Sequence, residues 1–437
     1  MAAIISQQKI QASGTVVTDY FRPELICQVI DEDLGELGYV VIDRTVGTNP
    51  SGGGIRFAPG VTVTEIAQLA RNMTLKFAFL NLPTGGAKAG ITVSPPLDHE
   101  MRARVVTAFG KHLRTLLKRN VYFMGEDLGI DLNDLNLIQK TIGNAPYRFA
   151  EKKEDMGPTG LTVFESIKQC ALSRGLKLCG ATAVIEGLGR IGSEVALMLS
   201  GAGAKILAVS TAQGAIFDEK GLNVQRILEE RKKYGDSFVT RSRDTRNIDL
   251  RDMLAIRTDI LVPCARIWTI NPGNARQVDA KIIVSGANGP VFPHSEKVLF
   301  ERNILLMPDF VSSCGTILYS AMAARGFNDQ TIKKFISTHF SDQIGLMLKM
   351  AVKKGISAPD YARSIAWRNF SRMDEMYSQK KPDHKKGCLV CKVRAKGPSG
   401  IWDKIKKELN QKIPSKAEQI RKNTYASFVS DTLNIID

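Results

Sequence analysis

The order of apolar and polar positions divides the chain into two halves with different rhythms. In the first half a strand-like run, LGYVVIDR (Leu37 to Arg44), precedes a stretch from Val63 to Leu80 in which Ile66, Leu69, Ala70, Met73 and Phe77 recur at helical spacing and give one buried face. This is the pattern of a mixed α/β unit. Between Lys140 and Gly160 it loosens into NAPYRFAEKKEDMGPTG, polar and interrupted by Pro146 and Pro158, so a boundary or hinge is expected near residue 150. Beyond it, short and nearly continuous apolar runs alternate with helical stretches: Thr182 to Gly187, Lys205 to Thr211, Asp259 to Ala265, Lys281 to Ala287 and Ile304 to Phe310. Such runs imply a parallel sheet covered on both faces, a doubly wound α/β domain. The expected division is therefore 1–150, 151–325, C-terminal helices over 326–380 packing back toward the first domain, and a lysine-rich extension over 381–437.

Composition changes this picture little. An apolar fraction of 43% and a charged fraction of 24% are those of a globular chain. No apolar run approaches the ~20 residues of a membrane span, and the first residues lack the pattern of a secretory signal, so a cytoplasmic location and no membrane partner are expected. The net charge of +16 is concentrated: Lys380 to Lys422 holds 14 Lys and Arg against 4 Asp and Glu. Few aromatics interleave with those lysines, which argues against nucleic acid as a partner. Cys388 and Cys391 form a CxxC near His384, but without a second pair no metal site is expected.

Candidate chemistry lies in glycine-rich segments. GLGRIG (Gly187 to Gly192) follows a strand and opens a helix, as a dinucleotide-binding turn requires. The first glycine turns the chain, the second admits the pyrophosphate, and the third lets helix and strand pack closely. The next strand ends in Ser210 and Thr211, not in the acidic residue that holds the ribose of NAD, so NAD and NADP both stay open. In the first half, Lys88 stands among Gly85, Gly86, Ala87, Ala89 and Gly90, small neighbours that allow its desolvation and a lowered pKa suited to general base work. A solvated glycine loop is the alternative reading. Glu126 and Asp127, in YFMGEDLGID, would relay protons if one of them stood beside that lysine.

Taken in order, GGGIRFAP, MTLK, LPTGGAKAG, GEDLG, the Thr159-Gly160 pair, GLGRIG, SGANGP and PDFVSSCG resemble the blocks of the glutamate/leucine/phenylalanine/valine dehydrogenase family across about residues 35 to 325. The resemblance implies a substrate-binding and catalytic domain followed by a Rossmann domain. It also implies reversible NAD(P)-dependent oxidative deamination of an L-amino acid to the 2-oxo acid and ammonia in the cleft between them, by a homo-oligomer, a hexamer in the family. Carried over by block, Lys76 binds the α-carboxylate, with Gly54 and Ser320 also at the substrate. Lys88 activates the attacking water and Asp127 shuttles protons to the leaving amine. Thr159, Thr211, Asn288 and the turn residues Gly187, Gly189, Arg190, Ile191 and Gly192 meet the dinucleotide. Closure of the two domains on a hinge near 145–160 is expected with it.

There are departures from the pattern. Gly52 stands where glutamate-specific members have a lysine for the side-chain carboxylate, while Ser320 matches a serine that helps bind it; Ser313 and Cys314 replace the usual Asn and Ala. The expected substrate is an aliphatic amino acid, leucine- or valine-like, used at least as well as glutamate. The alternatives are a glutamate enzyme with a relocated anchor and, from another class, a non-catalytic regulatory or nucleic-acid-binding protein on this scaffold.

Overall fold

The computed structural model describes residues 22–92, 97–147, 157–241 and 245–378. The basic extension with His384, Cys388 and Cys391, and residues 148–156 of the expected hinge, lie outside the described residues. Those described form two compact units, one of residues 22–147 with 366–378 and one of residues 157–365. No helix among them is long and apolar enough to cross a membrane.

The first unit contains β1 (Leu25–Asp31), β2 (Gly35–Ile42), β3 (Ser51–Phe57), α1 (Val63–Phe79), β4 (Gly85–Ile91), α2 (His99–Lys118), β5 (Tyr122–Glu126) and α3 (Leu132–Thr141). Its sheet has the order β1-β2-β4-β3-β5, with β3 parallel to β4 and β5. Strand side chains alternate between faces, and here the two faces have different uses. Ile55, Phe57, Ala87, Ala89 and Ile91 point into a core with Phe109 and Leu113 of α2 and Leu135 and Ile138 of α3. The opposite face carries Gly52, Gly54 and Arg56 on β3 and Gly86, Lys88 and Gly90 on β4. Helix α1 lies on this bare face: a Cβ on Gly86 would stand 2.1 Å from the Thr74 nitrogen. The glycine-rich segments are thus fully buried strands and not solvated loops. Glycine's poor strand propensity is overridden by the close approach of a helix.

Helix α1 starts where the Thr62 hydroxyl accepts from the Glu65 N–H. It is fixed to the sheet by Asp43, fully buried after β2, whose carboxylate accepts from the Thr74 hydroxyl at 2.6 Å and Arg71 Nε at 2.8 Å.

The second unit comprises α4 (Pro158–Ser173), β6 (Thr182–Glu186), α5 (Arg190–Gly201), β7 (Lys205–Thr211), β8 (Gly214–Phe217), α6 (Val224–Tyr234), α7 (Phe238–Arg241), β9 (Arg246–Ile248), β10 (Thr258–Pro263), β11 (Ala280–Val284), α8 (Pro293–Glu301), β12 (Leu305–Met307), α9 (Asp309–Ser312), α10 (Gly315–Ala323), α11 (Asp329–Phe335) and α12 (Ser341–Lys354); α13 (Ala358–Ser378) begins in it and continues into the first unit's segment. The sheet order is β12-β11-β10-β6-β7-β8-β9. Its first five strands are parallel, as their apolar runs predict, and form the doubly wound core. The hairpin strands β8 and β9 extend it antiparallel, a departure from the all-parallel expectation. At four and three residues they are too short to leave a periodic signal. The strand order reverses between β6 and β10, which is where a doubly wound sheet opens a ligand crevice at its carboxyl edge.

Candidate active site

In the first unit the bare sheet face brings charged groups together. Lys88 is only 3% exposed, and its Nζ lies 3.0 Å from Oδ2 of Asp127, the first residue after β5. Of the two carboxylates in the sequence motif, Asp127 is the one at the lysine; Glu126 is exposed. Gly54 positions it, since a Cβ there would stand 2.6 Å from the Glu126 carbonyl oxygen and 2.9 Å from Asp127 Cβ. Its described role is therefore close strand packing. Lys76, buried on α1, adds positive charge that acts on Lys88.

Two residues that motif reading passed over complete the cluster. Arg56 Nε donates to the same Oδ2 of Asp127 at 2.9 Å, and its Nη1 pairs with Glu65 of α1. The signal was the two-residue period that puts Arg56 on the face of Gly52 and Gly54. Burial pushes the Lys88 ammonium below the ordinary lysine range, and the charges of Arg56 and Lys76 add to this against the opposing pull of Asp127. Burial alone would raise the Asp127 carboxyl, but Lys88 and Arg56 outweigh it and hold it at about 2. The arrangement is a desolvated amine that loses its proton readily beside a carboxylate that stays ionised, inside a surround rich in positive charge.

Gly52 also faces α1. A Cβ there would lie 2.9 Å from Cζ of Phe77 and 3.6 Å from the Thr84 methyl. An aromatic ring thus occupies the space a longer side chain at residue 52 would enter, next in sequence to Lys76.

In the second unit the glycine turn links β6 to α5. Gly187 has φ 92°, and a Cβ on it would meet Ala265 at 2.7 Å; its N–H donates to the Ser210 hydroxyl at 2.9 Å. A Cβ on Gly192 would stand 2.1 Å from the Gly187 oxygen, whereas nothing lies within 4 Å of one on Gly189. The first N–H groups of α5, beginning at Arg190 and Ile191, have no side-chain cap. An open glycine before an uncapped helix start fits a dinucleotide pyrophosphate. The Thr211 hydroxyl donates to the Asp236 carbonyl at 2.9 Å, so its side chain ties the β7 end to the segment after α6. Thr159 pairs with the Thr316 hydroxyl at 2.8 Å and accepts from its N–H, joining the starts of α4 and α10. Asn288 is half-buried, and the Ser313 hydroxyl donates to the Asp309 carbonyl at 2.8 Å. Ser320 is an exposed residue of α10.

Residues 36–144 match the Glu/Leu/Phe/Val dehydrogenase dimerisation domain and residues 152–371 the Glutamate/Leucine/Phenylalanine/Valine dehydrogenase domain. The chain belongs to this family. It is an NAD(P)-dependent amino-acid dehydrogenase, an oxidoreductase. Among relatives of this dehydrogenase, the NAD-specific glutamate dehydrogenase of Staphylococcus aureus (strain COL) is 33% identical over 286 residues, covering 62% of this chain and 68% of the relative. The glutamate dehydrogenase of Thermotoga maritima is 30% identical over 303 residues, 64% of this chain and 70% of the relative. Among solved structures, the leucine-bound hetero-hexameric glutamate dehydrogenase from Thermus thermophilus has TM-score 0.67 at 26% identity, covering 86% of this chain and 91% of that one. The L-tryptophan dehydrogenase of Nostoc punctiforme shares the fold, at TM-score 0.55 and 21% identity over 81% of this chain and 98% of that one. The match to a dimerisation domain supports oligomerisation of this dehydrogenase.

For the cofactor turn, Gly192→Ala is expected to weaken NAD(P)H binding about tenfold or more, measured by cofactor fluorescence titration. Alanine's helix propensity gains about 1 kcal/mol over glycine, but a Cβ only 2.1 Å from the Gly187 oxygen forces the turn apart, at about 1–3 kcal/mol or more. Unchanged affinity would show that the turn does not hold the pyrophosphate.

Proposed function

We propose that this dehydrogenase carries out reversible oxidative deamination of an L-amino acid with an apolar, aliphatic side chain, used at least as well as glutamate, giving the 2-oxo acid and ammonia. The observation that carries the reading is the buried Lys88–Asp127 pair on the glycine face. Lys76 anchors the α-carboxylate, and because Asp127 and Glu65 are both already paired with Arg56, its charge offsets the desolvation of that anion. Bound NAD(P) supplies the acceptor for the α-hydrogen as hydride. Lys88, as the neutral amine, takes a proton from the water that adds to the iminium carbon. Asp127 takes that proton from the Lys88 ammonium and passes it to the nitrogen; ammonia leaves as the carbinol hydroxyl gives its proton back to Lys88 and the C=O bond forms.

Gly187, Gly189, Arg190, Ile191, Gly192, Thr159, Thr211 and Asn288 are the proposed dinucleotide contacts, and the open Gly189 position supports the turn as their centre. Ser320 is a proposed substrate contact on its sequence block alone. The proposed assembly is a homo-hexamer.

The preference against a second carboxylate rests on Gly52, which offers no cation, and on Phe77, whose ring takes the neighbouring space. The names of the relatives favour a second reading, glutamate itself with its anchor on another residue. A panel of L-amino acids with NAD and with NADP, followed by absorbance of the reduced cofactor, separates them. Leucine or valine turned over at least as efficiently as glutamate is the expected result. Strong activity on glutamate with none on leucine or valine would establish the second reading.

A further inference from the structure

We propose that Arg56 is a positioning residue of the reaction: it holds Asp127 by one oxygen, leaves the other for proton transfer, and draws the carboxylate's charge away from Lys88. The inference rests on the roles proposed above for Lys88 and Asp127. Both cations meet the carboxylate at Oδ2, Arg56 Nε at 2.9 Å and Lys88 Nζ at 3.0 Å. Oδ1 accepts no hydrogen bond from the described residues. The guanidinium is in turn held at its other end by Glu65. A planar fork gripped at both ends fixes the carboxylate's rotation, which a lysine ammonium alone cannot do.

The charge balance gives Arg56 a second effect. The charged groups facing Lys88 within the unit are Asp127 after β5, Arg56 on β3, and Lys76 on α1, with Glu65 of α1 acting through Arg56. Asp127 favours the ammonium form of Lys88 and Arg56 opposes it. A base paired to a bare carboxylate would keep its proton. With Arg56 sharing that carboxylate, the amine is released to act as base nearer neutral pH.

The test compares the full-length wild type with Arg56→Gln, Arg56→Lys and Lys88→Ala, measuring kcat, KM and the pH profile of kcat/KM. Arg56→Gln is expected to lose at least tenfold in kcat with KM changed less than about threefold. Its acid limb should move up by about one pH unit, because Lys88 now holds its proton more tightly. Arg56→Lys keeps the charge without the fork, so it should lose turnover while its acid limb stays near the wild-type position. If Lys88→Ala is inactive but Arg56→Gln falls in rate with an unmoved limb, Arg56 is merely structural and the inference fails alone. If Lys88→Ala keeps the wild-type rate, the proposed roles fall and this inference with them. Should Arg56→Gln not fold, Arg56→Lys decides: wild-type turnover in that variant would overturn the positioning role.

Discussion

Lys88→Ala is expected to lower kcat by about 100- to 10,000-fold, the contribution of a positioned base, with cofactor affinity nearly unchanged. The fold should survive, because Asp127 keeps Arg56 as its partner when the lysine is gone. Asp127→Asn should lower kcat over the same range for a different reason and with a different signature. It removes the carboxylate that favours the charged form of Lys88, so the lysine loses its proton more readily and the acid limb moves to lower pH. In the wild type the rate rises with pH as Lys88 becomes neutral, and burial places that rise below the ordinary lysine range. Asp127→Asn takes away the one anion that pairs Lys88 and shares Arg56, at about 3–5 kcal/mol, whereas Lys88→Ala leaves Asp127 paired with Arg56, so Asp127→Asn should melt at the lower temperature. Stopped-flow turnover, a pH profile and a thermal melt distinguish the two. Either variant retaining more than half the wild-type rate would remove its residue from the chemistry.

The second large effect concerns substrate choice. Gly52→Lys alone is expected to give only a small gain for glutamate, because the new side chain meets the Phe77 ring at its Cβ. Gly52→Lys with Phe77→Ala clears that space. It should raise the ratio of kcat/KM for glutamate to that for leucine by roughly tenfold to a hundredfold, the range of a hydrogen bond to a charged group. Phe77→Ala alone should weaken leucine use without helping glutamate. A double variant no better on glutamate than the wild type would place the side-chain pocket elsewhere.

How much of this the chain's pattern revealed follows from what each feature depends on. The parallel strands of the second unit were legible because β6, β7, β10, β11 and β12 are apolar runs bounded by turns. The glycine turn was legible because its three spacings answer local geometric demands. Lys88 stood out by its small neighbours. By contrast, nothing local marks β3 and β4 as central strands: their character comes from α1 lying against bare backbone, a contact between segments. Arg56 and Glu65 were hidden for the same reason, and of Phe77 only its helical spacing was legible and not its place over Gly52, since these places depend on strand register and on the face of a helix packed above it.

The two strands that carry Arg56 and Lys88 also bear on how this protein could be altered by design. Three glycines in β3 and three in β4 allow α1, the β5 end and neighbouring strands to approach, and a Cβ at Gly53, Gly85 or Gly86 would lie 1.7–2.1 Å from backbone. Those positions have no room for variation, whatever substrate is sought. Of the proposed substrate wall, the positions with room to change are on α1, where Met73 and Phe77 are only partly buried. A library aimed at a new amino acid should randomise the helix and, of these strands, no position but Gly52.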